Sequence, residues 1–117
     1  MQYLLLIYSN EAEMAARTAP AMASMMAEYT EFTKGIIQAG HFKAGDRLRP
    51  TSAATTVRVR NGQVAVTDGP FAETSEQLGG YYLVEAKNLD EATAIAARIP
   101  GAKIGSIEVR PIWPVEA

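Results

Sequence analysis

The sequence has no cysteine. That removes disulfides, thiolate nucleophiles and cysteine-ligated metals together, and it suits a reducing cytosol. It has one histidine and no aspartate-rich run, so the usual donor sets for a metal are missing and no metal is expected. It has no broad basic field. The net charge is −2, and Arg47, Arg49, Arg58 and Arg60 are the nearest approach to a cluster. Nucleic acid is therefore not an expected partner. No strand–GxGxxG–helix phosphate loop occurs, and no cofactor is expected. No apolar run is long enough to span a bilayer. The opening Met1-Gln2-Tyr3-Leu4-Leu5-Leu6-Ile7-Tyr8 is too short, and no basic region precedes it as a signal peptide requires. A cytoplasmic protein without membrane contact is expected.

What is present is one domain of 117 residues, 48% hydrophobic and 21% charged, a globular balance. Tyr3 to Tyr8 is apolar at every position, the mark of a central strand covered on both faces. A helix follows, with Pro20 in its first turn. Met22, Met25, Met26, Tyr29, Phe32, Thr33, Ile36 and Ile37 recur at spacings of three and four. Methionines can make an adaptable binding face, but the period reads first as core packing. Gly40 closes the helix as a left-handed cap. Phe42 to Leu48 reads as a short strand broken near Gly45. Thr56 to Arg60 and Gln63 to Thr67 alternate around Asn61-Gly62, a hairpin with a type I′ turn.

The chain is organised around Asp68-Gly69-Pro70-Phe71-Ala72-Glu73-Thr74-Ser75-Glu76-Gln77-Leu78-Gly79-Gly80-Tyr81-Tyr82-Leu83-Val84. Asp-Gly-Pro breaks regular structure, because glycine tolerates positive φ and proline fixes φ and lacks a donor. Thr74 to Leu78 reads as one helical turn capped by Thr74. Gly80 to Ala86 is the next strand. Asn88 with Glu91 forms a capping box, and Ala92, Ile95, Ala96 and Ile99 give the second helix a narrow buried stripe ended by Pro100-Gly101. The last strand runs from about Ile104 to Ile112, with Ile107 and Val109 on one face and Ser106, Glu108 and Arg110 on the other.

This order implies an α+β protein: a ferredoxin-like βαββαβ core with an inserted β-hairpin, an antiparallel sheet and two helices on one face. The other sheet face needs cover. A two-fold homodimer packing open face on open face supplies it.

The stretch from Asp68 to Tyr82 resembles the signature of the DGPF family, also called the YCII-related family. The resemblance extends to Met1-Gln2-Tyr3-Leu4-Leu5, Leu48-x-Pro50, Ala54-Thr55-Thr56-Val57-Arg58 and Ile107-Glu108-Val109-Arg110-Pro111, nearly the whole chain. It implies a dimeric α+β barrel on a ferredoxin-like core, an enzymatic role supposed from other barrel enzymes, and a link to alternative sigma factors of the extracytoplasmic type. Ser75 stands where the family commonly has a lysine, which would weaken any hold on an anionic ligand there.

Asp68 is the first catalytic candidate, a general acid or base; it is also placed to bond the backbone two residues on. His41 is the second catalytic candidate, because histidine is the side-chain type that exchanges protons near neutrality, or it merely meets the helix terminus. Of the two tyrosines, Tyr82 rather than Tyr81 is taken to face the barrel interior as a third catalytic candidate. Glu73 and Glu76 would share a helical face and are ligand-binding candidates, as are Glu108 and Arg110, which suit an anion clamp or an internal ion pair. Three readings compete. One is a small cofactor-independent acid–base enzyme for a carbonyl or aromatic compound. The second is a ligand-sensing or partner-binding module. The third is a dimer whose polar motif serves folding alone.

Overall fold

Four of the six strands make one sheet, and the other two stand apart as a ribbon. The computed structural model describes residues 1–115. In chain order the elements are β1 (Gln2–Ser9), α1 (Glu11–Ala15), α2 (Ala19–Gln38), β2 (Phe42–Arg47), β3 (Thr55–Arg60), β4 (Gln63–Asp68), β5 (Gln77–Glu85), α3 (Leu89–Ala97) and β6 (Ser106–Pro111). Short 3-10 turns lie at Thr51–Ala53 and Pro100–Lys103. The main sheet has the order β2-β5-β1-β6 with antiparallel neighbours, and β3 pairs only with β4. This is an α+β arrangement compatible with a ferredoxin-like fold.

Strand parity sorts the two faces of the sheet. Tyr3, Leu5, Tyr82 and Val84 turn towards the helices and join Phe32, Ile36, Ala92, Ile95 and Ile99 in the core, with Ile107 and Val109 packed against it. Leu5, Ile36, Val84, Ile95 and Ile99 are fully buried, each stabilising by about 1.5–3 kcal/mol. The opposite parity, including Leu4, Leu6, Tyr81, Leu83, Glu108 and Arg110, is left on an open face with no second layer over it.

The helix ends follow their sequence signals. Thr18 caps α2 by accepting from the Ala21 N–H at 3.2 Å, and Pro20 sits in the first turn. Gly40 adopts φ +80°, and Gly40 and His41 donate back to the carbonyls of Ile37 and Ile36 at 3.1 and 2.9 Å, a Schellman stop. Asn88 accepts from the Glu91 N–H at 2.9 Å, while the Glu91 carboxylate reaches past the cap to the Lys87 N–H at 2.9 Å.

Helix α1 was not expected. Its signal is Asn10 followed by Glu13, the spacing of a capping box: Asn10 Oδ1 accepts from the Glu13 N–H at 2.9 Å. A second expectation fails at Thr74 to Leu78, where no helical turn forms. The sheet claims these residues instead: Gln77 and Leu78 pair with Ser9 and Tyr8, and the Gly79 carbonyl accepts from the Leu48 N–H at 2.9 Å. The Thr74 hydroxyl bonds the Glu76 carbonyl rather than capping a helix.

The β3–β4 ribbon turns at Asn61 and Gly62, with φ of 52° and 74°. In register it sets Val57 against Val66 and Val59 against Val64. These four valines share one face and are 58–67% exposed. The protein measures 48 × 47 × 18 Å with a radius of gyration of 16.3 Å, against about 13 Å for a compact domain of this length.

Candidate functional site

A cavity of about 680 Å³ opens between the helices and the helix-facing side of the sheet, near the ends of β2 and β5. Its origin is local sequence. Gly45 and Gly80 fall on the helix-facing side and carry no side chain to fill the space below α2. Gly45 also admits the Tyr82 ring, since a Cβ there would meet it at 2.8 Å. Above this bare floor lie Met22, Met25 and Met26 of α2 and Met14 of α1. Of these only Met25 is buried, and Met26 is 41% exposed. The methionine repeat therefore does more than fill core: its sulfurs and flexible chains form an apolar cavity wall. Ile7 and Phe42 extend it, and Gly101 and Ile104 lie at one end.

The polar groups of the cavity fall into two sets. The first is already engaged. The Glu11 carboxylate accepts from the Thr51 N–H and hydroxyl, both at 2.8 Å. Asp46 borders the cavity but pairs with Tyr81, so its carboxylate lies on the open face, where it accepts from the Tyr81 hydroxyl at 2.7 Å. The Tyr82 and Thr33 hydroxyls bond each other at 2.7 Å. The second set is available. Arg47, opposite Gly80 in the sheet, donates among the described residues only to the Met26 sulfur at 3.9 Å, a weak acceptor. Among the described residues Arg47 and Arg49 form no ion pair. The Tyr29 oxygen accepts from the Gly101 N–H at 3.2 Å, which leaves its proton to donate. Burial raises the Tyr29 pKa above 10.0, against weaker opposing effects of the Gly101 N–H and the Arg47 charge.

The residues singled out from sequence are dispersed. Of them only Tyr82 lines the cavity. It lies beneath the helices and Tyr81 on the open face, the reverse of the expected assignment, because Tyr82 pairs with Leu5 on the core side. His41 immediately precedes β2 and does not line the cavity, although its neighbour Phe42 does. Its Nδ1 lies 2.8 Å from the Glu85 carbonyl oxygen and 4.0 Å from the Glu91 carboxylate. Asp68 is exposed at the end of β4, and its carboxylate makes no hydrogen bond among the described residues. The turn is held by the backbone instead: the Gly69 N–H donates to Ala54 at 2.7 Å, with Gly69 at φ +103°. Glu73 is exposed. Glu76 accepts from the Ser106 hydroxyl at 2.8 Å, tying the start of β5 to the start of β6. With no helical turn there, Glu73 and Glu76 share no helical face. Glu108 and Arg110 form an ion pair on the open sheet face, which raises the Arg110 pKa.

The family model for the YCII-related domain matches residues 1–116. The chain belongs to the YCII-related family. An uncharacterized protein of Rhizobium meliloti (strain 1021) is 39% identical over 114 residues, covering 96% of this chain and 92% of that relative. In this YCII-related protein, no helix among the described residues is long and apolar enough to cross a membrane.

Sequence reasoning passed over Tyr29, Arg47 and the methionines as site residues. Tyr29 sits inside the apolar repeat and reads as core. The cue was its hydroxyl, which needs a partner wherever the ring is buried.

Proposed function

We propose that this protein is a small-molecule-binding module, acting as a homodimer through its open sheet face. The observation that carries the reading is the methionine-walled cavity. Its volume of about 680 Å³ lies within the range of about 300–1,000 Å³ usual for ligand sites, and it combines an apolar wall with a few polar groups. An aromatic or other apolar compound fits such a wall. Asp68 and His41 lie outside it, so binding has firmer support than acid–base catalysis. The role suits a ligand sensor in the cytoplasm, alongside a sigma factor of the extracytoplasmic type as the family resemblance implies.

The dimer is supported by Leu4, Leu6 and Leu83 on the open face, by the exposed valines and by the large radius of gyration. Both parts can be tested with the intact protein. The neutral dye Nile red should bind saturably, and Met22→Trp, which fills the cavity, should abolish binding while leaving the melting temperature nearly unchanged. Equal binding by both proteins would place the dye elsewhere and sink the assignment. Light scattering should give a dimer mass that Leu6→Glu reduces to a monomer.

A further inference from the structure

Among the described residues, the free charged groups of the cavity are all cations. Its carboxylate, Glu11, already accepts bonds from Thr51. Its threonine and tyrosine at positions 33 and 82 satisfy each other. What remains, among the described residues, is the guanidinium of Arg47, held only by a thioether, the cation of Arg49, which forms no ion pair there, the proton of Tyr29 and the hydroxyl of Ser9. Lys34 adds a cation at the rim, loosely paired with Glu31 at 3.8 Å on the helix surface. A ligand bringing its own donors would find few acceptors. A neutral apolar ligand would satisfy the methionine wall and leave the arginines unused.

We infer that the cavity takes an amphiphilic organic acid: an apolar or aromatic body against the methionines, and a carboxylate or like oxyanion at Arg47. The inference rests on the cavity being the ligand site and specifies what enters it. Arg47 suits the anionic end for two reasons. Its planar guanidinium can hold a carboxylate through two parallel N–H bonds. It is also placed by strand parity above Gly80, on the cavity side of β2. Tyr29 lies near enough to feel the Arg47 charge, so its O–H can donate to the same anion or to a second oxygen on the ligand. No covalent step is involved.

The test compares naphthoate with its neutral isostere naphthamide by isothermal titration calorimetry on the intact protein. Wild type should bind the acid roughly tenfold or more tighter than the amide, the scale of one charge-assisted hydrogen-bonded pair. Arg47→Gln should erase that preference, lowering acid affinity far more than amide affinity. Arg47→Lys should restore part of it, since charge returns without the planar fork. Added salt should weaken the acid alone. If wild type binds both probes equally, or if Arg47→Gln keeps the preference, the acid assignment is wrong and the cavity remains a ligand site. If neither probe binds and Nile red does not bind either, both the cavity reading and this inference fall.

Discussion

The backbone N–H of Gly101 donates to the Tyr29 hydroxyl at 3.2 Å, and a Cβ at position 101 would lie 2.6 Å from that oxygen. Glycine is thus what allows the turn after α3 to close on α2. Gly101→Ala should lower stability by about 1–3 kcal/mol, the usual range for overpacking, read from the urea midpoint. In a Tyr29→Phe background the oxygen is gone and the same change should be nearly tolerated. Equal penalties in both backgrounds would show that this contact is not the cause.

Tyr29 also links stability to alkaline pH. Burial raises its folded pKa above the ordinary 10.0, so the unfolded chain loses this proton first as pH rises. The neutral phenol's contribution is intact below pH 10 and is lost as pH climbs through the higher folded value. Urea unfolding at a series of alkaline pH values should show a shallower decline for Tyr29→Phe than for wild type. Parallel curves would rule the linkage out.

The Tyr82–Thr33 bond joins the sheet to α2 at 2.7 Å. Tyr82→Phe should cost about 1 kcal/mol, and adding Thr33→Val should cost little more, because both partners are then apolar. Tyr82→Ala should cost about 3–5 kcal/mol, since the ring also makes edge contacts with Phe32 and Phe42 at centroid distances of 5.2 and 6.4 Å. Thermal and urea denaturation would separate the two scales.

The valine face of the β3–β4 ribbon should be shielded in the homodimer. Val59→Lys combined with Val64→Lys would put two cations at directly opposed positions. The pair should raise the dimer dissociation constant by tenfold or more, on the scale of about 1.4 kcal/mol, without changing helix content. A dimer of unchanged strength would exclude the ribbon from the interface.

Most of the fold could be read in advance because each element carried its own punctuation. Pro20, Gly40, Asn61-Gly62 and Asn88 all mark boundaries where the structure has them. One failure came where long-range pairing overrode a local signal, when β5 extended back to Gln77 and left Thr74 no helix to cap; α1 was missed although Asn10 carried a local capping signal. The candidate site was far less legible. The Asp68 stretch drew attention because its residue types are chemically active, yet only its end from Gly79 to Tyr82 reaches the cavity. The cavity depends on which strand residues share a face. A one-residue change of parity exchanges Tyr81 for Tyr82 and moves Arg47 away from it. Nothing local in Tyr81-Tyr82 decides that parity; the pairing of Leu5 with Tyr82 does.

The 18 Å thickness of the protein limits what one copy can do electrically. It is one layer of helix on one layer of strand, and water approaches from both sides. Among the described residues the buried set contains no polar or charged side chain. Tyr81 bonded to Asp46, and Glu108 paired with Arg110, therefore interact through a medium close to bulk water in dielectric strength. A second copy laid over the open face would exclude that water and strengthen both couplings. The strength of these bonds would then depend on how concentrated the protein is, and dilution alone would weaken them.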